Sequence, residues 1–306
     1  MARIVCLGEA MLELSRAGES WQMGYGGDTL NTAIHLARAG HDVAYMTALG
    51  NDLFSRHLRS AWAAEGLDCS LVMTHPVRHA GLYAIVTDDA GERSFTYWRD
   101  TSAARAMFEL DAVGAAMAKA ERVDLFCFSL ISLAILPPQG RDDLLKLAAR
   151  VRDNGGLVAF DGNFRPQLWE TRETAILLRD RAIALADMGL PTFEDEAALS
   201  GAENPDAVAR HWHQLGCGEV VVKLGPDGCR LPDGTPLPPS ARLDPIDTSG
   251  AGDAFNGGYL AARAQGASVA EAARSGHDIA AWTVMRRGAV PPLDSTAPYS
   301  RCFPDD

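Results

Sequence analysis

The sequence predicts an α/β protein of three layers: a mostly parallel central sheet covered by helices on both faces, with a small β-sheet inserted as a lid. Short apolar runs rich in β-branched or aromatic residues alternate along the chain with amphipathic stretches of helical length. Those runs have the look of parallel strands buried on both faces. Two segments, 11–27 and 79–99, break the alternation with short strands joined by turns, and they supply the lid.

In chain order, RIVCLG (3–8) reads as the first strand and MLELSRAGESWQMGYGG (11–27) as the first part of the lid. DTLNTAIHLARAG (28–40) is a helix with an Asp at its start and Gly40 at its end. HDVAYMTALG (41–50) is the next strand, and HAGLYAIVTDDAGERSFTYWR (79–99) completes the lid, with a hairpin expected at Asp89-Ala90-Gly91. VDLFCFS (123–129), GLVAFDGN (156–163), ADMGL (186–190) and GEVVVKLG (218–225) are further buried strands. Helices are expected at 141–156, which ends on two glycines, at 171–186, and at 251–265 and 268–285. With no repeats, low-complexity tracts or long linkers, residues 1–306 read as a single domain.

Composition narrows the function. An apolar content of 47% and a charged content of 22% belong to a soluble globular protein. No apolar run approaches the ~20 residues that cross a bilayer. Glu9 interrupts the apolar stretch of MARIVCLGEAML, so it reads as a strand and not as a secretory signal. The six cysteines (6, 69, 127, 217, 229 and 302) form no C-x-x-C pair, which implies reduced thiols and a cytoplasmic location. A formal net charge of −12 argues against nucleic acid as a partner. It also repels small anions unless arginines are placed locally to receive them.

The segment DTSGAGDAFNGG (247–258) carries the chemistry. Glycines at 250 and 252 where a helix begins let an anion approach the free N–H groups of the first turn. Asp253 in that turn is an acid beside an anion site, where phosphate would repel it. The helix dipole is expected to keep it ionised. General-base catalysis of phosphoryl transfer is a reason for the pairing: Asp253 takes a hydroxyl proton as that oxygen attacks a phosphoryl group, and the 250–253 backbone stabilises the transferred group. Gly250, Ala251, Gly252 and Asp253 are thus the candidate catalytic set.

DTSGAGDAFNGG resembles the C-terminal motif of the ribokinase-like (PfkB) carbohydrate kinases, matching D-T-x-G-A-G-D at every fixed position. The resemblance covers roughly residues 3–290 and implies a ribokinase-like fold with ATP and Mg²⁺ as cofactors. GYGGDTLNTAIHLARAG (24–40) is similar to the family's sugar-binding turn and helix, which points to Gly26, Gly27, Asp28 and Asn31 as acceptor contacts. GEVVVKLGPDGCRL (218–231) resembles the strand–turn–strand that borders ATP, implicating Lys223, Gly225, Asp227 and Gly228, with Gly250 and Gly252. ATP is expected near 223–228 and the helix at 268–285.

Three stretches narrow the acceptor. FTYWRDTSAARAMF (95–108) sets Tyr97 and Arg99 on one strand face, LYAIV (82–86) brings Tyr83, and FDGNFRPQLW (160–169) presents Asp161, Asn163 and Arg165 at a strand end. An anionic sugar needs arginines for charge and bidentate hydrogen bonding, whereas fructose or ribose does not. These stretches are similar to those of family members that phosphorylate the sugar acid 2-keto-3-deoxygluconate. That implies Tyr83, Tyr97, Arg99 and Arg165 on the acid, and Asn163 and Arg165 near the phosphates. In GLPTFEDEAALSG (189–201), Phe193 occupies the expected Asn of the family's N-x-x-E pattern; Glu196 fits its acid and is assigned to magnesium through water.

The rival readings are a same-family kinase for a neutral sugar, and a non-catalytic sugar-binding sensor, which has no need of Asp253. A dinucleotide oxidoreductase is excluded because GEAMLE stands where G-x-G-x-x-G would follow the first strand. An open lid sheet with an apolar face would support a homodimer, as in relatives. By resemblance a monovalent cation would sit near Asp247.

Overall fold

The computed structural model describes residues 1–87 and 93–299. The Asp89-Ala90-Gly91 turn and Cys302 lie outside the described residues. The strands in chain order are β1 (Arg3–Leu7), β2 (Met11–Ala17), β3 (Ser20–Gly26), β4 (Asp42–Leu49), β5 (Val72–Thr74), β6 (Gly81–Thr87), β7 (Arg93–Trp98), β8 (Leu125–Ser129), β9 (Leu157–Asp161), β10 (Met188–Gly189), β11 (Glu219–Val220), β12 (Val222–Lys223), β13 (Cys229–Arg230) and β14 (Pro236–Leu237). The α-helices are α1 (Asp28–Arg38), α2 (Leu53–Ala64), α3 (Val113–Ala120), α4 (Leu130–Ile135), α5 (Pro138–Asp153), α6 (Arg172–Ile183), α7 (Phe193–Ser200), α8 (Pro205–Gln214), α9 (Ala251–Ala264) and α10 (Val269–Val284).

Seven parallel strands form the central sheet in the order β11-β10-β9-β8-β1-β4-β5. Successive side chains on a strand point to opposite faces, and here each face has its own core. Val5, Leu7, Phe126, Phe128 and Phe160 pack with residues of α4, α5, α6 and α8. Ile4, Cys6, Leu125, Cys127 and Ala159 pack with residues of α1, α2, α9 and α10. Burial on both faces explains the unbroken apolar character of these strands in the sequence.

Strand order reverses between β1 and β8: the chain runs outward through β4 and β5 on one side and through β9, β10 and β11 on the other. In open α/β sheets the crevice at the carboxyl ends beside such a reversal is where ligands bind. The lid is built over this edge as a four-stranded sheet in the order β3-β2-β6-β7. Its inner pair, β2 and β6, is parallel, with Glu13 opposite Tyr83; the flanking pairs are antiparallel, with Tyr83 opposite Tyr97. The expected boundaries, 11–27 and 79–99, differ from the strands by at most two residues.

Candidate active site

Helix α9 starts after Gly250, whose φ of 68° is left-handed. A side chain there would be strained, and its Cβ would stand 2.5 Å from that of Ala289. Asp247 fixes the preceding loop by accepting the amides of Ser249 and Gly288, both at 2.8 Å. Of the amides expected to form an anion hole, that of Ala251 already donates to the Thr248 carbonyl at 3.3 Å. A Cβ on Gly252 would lie 3.6 Å from Lys223 Nζ, so a cation borders this helix end.

Asp253 is buried in the first turn, and Asn31 Nδ2 of α1 donates to its Oδ2 at 2.8 Å. Burial, then the Asp28 carboxyl and Asp161, push its pKa up to about 8; Asn31 and Lys223 pull the other way. This corrects the expectation that the helix dipole keeps the group ionised at neutral pH. The dipole is worth ~0.3–1 kcal/mol at a typical site, and desolvation with two neighbouring carboxyls outweighs it.

Gly26 and Gly27 allow close approach: a Cβ on Gly26 would strike the Tyr83 hydroxyl, and one on Gly27 the Glu9 carbonyl. They deliver the chain into α1, where Asp28 is held protonated more readily than usual by burial. Asn163 Nδ2 reaches Asp28 Oδ2 at 3.4 Å. Among the described residues the buried Oδ1 atoms of Asn31 and Asn163 have no hydrogen-bond partner. Two acceptors left open near Asp253 and Asp28 suit a ligand rich in hydroxyls.

At the end of β9, Asp161 accepts Lys223 Nζ at 3.1 Å and Asn256 Nδ2 at 2.7 Å. Half-exposed Arg165 donates to Asp195 at 3.3 Å and to the Phe164 carbonyl at 2.7 Å. Gly225 and Gly228 take positive φ in the turn between β12 and β13, and exposed Asp227 lies 3.6 Å from Arg242. The expected turn between the two strands is therefore formed, with Lys223 at its inner end.

On the lid, Tyr83 donates to Glu13 and its ring lies 5.9 Å from that of Tyr97, which is half exposed. Arg99 is buried, and Glu9 Oε2 accepts its Nε at 2.7 Å. The charge of Arg99 is thereby already balanced, a partner the sequence reading missed. Glu9 follows β1 directly, far from Arg99 in the chain.

Glu196 is turned into the core. Its Oε2 accepts Arg179 at 2.7 Å and its Oε1 accepts Trp212 Nε1 at 3.2 Å, in a buried cluster that uses both oxygens. The acid of α7 that faces the crevice is Asp195, which accepts the Phe164 amide and Arg165. Burial raises its pKa, and both Asp161 and Lys223 act on it. One residue along a helix is a rotation of about 100°, enough to exchange a crevice acid for a core acid.

A raised-pKa carboxyl, a helix N-terminus opened by glycines and a buried ammonium come together at this end of the sheet. Residues 1–296 match the pfkB family of carbohydrate kinases, and the chain belongs to that family. It is 40% identical to the 2-dehydro-3-deoxygluconokinase of Escherichia coli (strain K12), over 96% of this chain and 98% of that one. The 2-dehydro-3-deoxygluconokinase of Dickeya dadantii is 39% identical, over 95% and 97%. Among solved structures, aminoimidazole riboside kinase from Salmonella enterica, complexed with aminoimidazole riboside and an ATP analog, superposes with a TM-score of 0.83 at 26% identity, over 98% of this chain and 99% of that one.

Proposed function

We propose that this chain transfers the γ-phosphoryl group of ATP to the terminal hydroxyl of 2-keto-3-deoxy-D-gluconate, giving the 6-phosphate and ADP. The observation that carries the reaction is Asp253, held by Asn31 at 2.8 Å in the first turn of a glycine-opened helix beside Lys223. The observation that supports the acid is half-exposed Arg165 at the same sheet edge, together with 40% identity to a 2-dehydro-3-deoxygluconokinase.

Asp253 accepts the hydroxyl proton as the oxygen attacks, and the α9 amides stabilise charge on the transferred group. Asn31, Asn163 and Asp28 receive acceptor hydroxyls, Tyr83 and Tyr97 cover them, and Arg165 pairs with the carboxylate. The nucleotide lies along Lys223 and the 225–228 turn. Magnesium would ride on the ATP phosphates and neutralise them, with Asp195 and Asp161 as the acids in reach. A monovalent cation near Asp247 would share that carboxylate with the Ser249 and Gly288 amides. The lid register sets Trp21, Met23 and Trp98, all exposed, on the face opposite Tyr83, an apolar surface suited to a homodimer.

The testing experiment is ADP release with Mg-ATP and 2-keto-3-deoxygluconate, fructose, ribose, adenosine or no acceptor. Turnover with the keto acid alone is expected; turnover with fructose or ribose instead replaces the acceptor assignment, and silence with all refutes the kinase reading.

The pH dependence follows from the base. With Asp253 near 8 in the free protein, kcat/KM rises with pH as the carboxyl ionises. Asp28→Asn removes a neighbouring carboxyl that raises that pKa, so the acid limb moves to lower pH. An unmoved limb in the Asp28→Asn profile would show that Asp28 does not act on the base.

A further inference from the structure

We propose that Asn256 is a positioning residue for phosphoryl transfer, locking the Lys223 ammonium beside the anion hole through a closed ring with Asp161. This deepens the kinase reading and rests on it. Asn256 lies three residues after Asp253, on the same side of α9. Its Oδ1 accepts Lys223 Nζ at 3.0 Å while its Nδ2 donates to Asp161 Oδ2 at 2.7 Å, and Asp161 Oδ1 accepts the same ammonium at 3.1 Å. All three side chains are buried or nearly so.

The chemistry of the ring fixes the amide's role. One end must face a cation and the other an anion, and a primary amide of this length offers an acceptor and a donor at once. An ammonium has three donors. Two are committed to the ring, which leaves one for a phosphate oxygen at the Gly252 end of α9, where a Cβ would stand 3.6 Å from Nζ. Beside the ring lies a cavity of about 20 Å³, room for one water, lined in part by Asp28, Ser129, Asp161 and Asn256. With Asn256 truncated, Asp161 is free to shift into that space, and the ammonium is no longer aimed.

A double-mutant cycle tests this. Asn256→Ala is expected to lower kcat/KM for ATP by about 10- to 100-fold, the effect of losing a hydrogen bond to a charged group, with the KM of the acceptor held. In a Lys223→Met background the same change is expected to cost less than about twofold, because its target is gone. An equal fold-loss in both backgrounds, or a rise in acceptor KM with ATP unaffected, overturns the proposal. The cycle is repeated on affinity for a non-hydrolysable ATP analogue by calorimetry, which does not depend on the acceptor. A wrong acceptor therefore fails in the turnover assay alone, whereas a wrong role for Asn256 fails in both. If Asn256→Ala does not fold, Asn256→Ser, which is too short to bridge Lys223 and Asp161, carries the same cycle.

Discussion

Asp253→Asn lowers kcat by about 10²–10⁴ while acceptor and nucleotide affinities stay near those of the wild type. The replacement keeps the shape of the side chain, and its amide oxygen can still accept from Asn31 Nδ2, which sits at 2.8 Å in the wild type. Only the capacity to take a proton is lost. The same variant gains stability at alkaline pH. A carboxyl with a folded pKa of about 8 binds a proton that the unfolded chain has released from about pH 4 upward, so stability falls as pH rises between those values. Above the folded pKa the wild type carries a buried, poorly compensated charge that asparagine does not. Steady-state kinetics, with thermal melts at about pH 6 and about pH 9, check both halves. Retained kcat, or acceptor binding lost in proportion to rate, would refute Asp253 as the base.

Arg165→Ala raises KM for the sugar acid by about 10- to 100-fold, since a charge-assisted hydrogen bond is worth roughly 1.5–3 kcal/mol. Activity toward a neutral sugar such as fructose stays where it was. Arg165 is suited to this test because it is half exposed and its partner Asp195 sits at the rim of the crevice. Arg99 is not an equivalent probe. Truncating it strands the fully buried Glu9 carboxylate, and breaking such a pair costs about 3–5 kcal/mol in folding before any substrate is added. Kinetics of Arg165→Ala with both acceptor types, alongside the melting temperature, decide the matter. An equal loss on fructose would remove the charge-recognition role.

Where the backbone structure is local, the sequence was sufficient. The Gly250–Asp253 turn, the Gly26–Asn31 entry into α1 and the 225–228 turn each combine a backbone requirement with a polar group a few residues away, and all three form as read. The two-faced burial of the central strands follows from their unbroken apolar runs. What depends on distant segments was not legible. The raised pKa of Asp253 rests on its burial first, and then on Asp28 and Asp161, from other elements. The neutralisation of Arg99 rests on Glu9, which in the sequence only interrupts an apolar stretch. Which acid of α7 faces the crevice is a matter of helical phase: three consecutive acids open the helix, and only packing against Arg179 and Trp212 turns Glu196 inward.

The parallel pairing of β2 with β6 has a consequence for engineering. The lid is not a contiguous cassette: its inner seam joins residues 11–15 to residues 81–85, with β3, α1, β4, α2 and β5 between them in the chain. Moving one segment from a relative would leave a hybrid seam whose register and packing were never selected together. Exchange of this sheet between homologues therefore calls for both segments together.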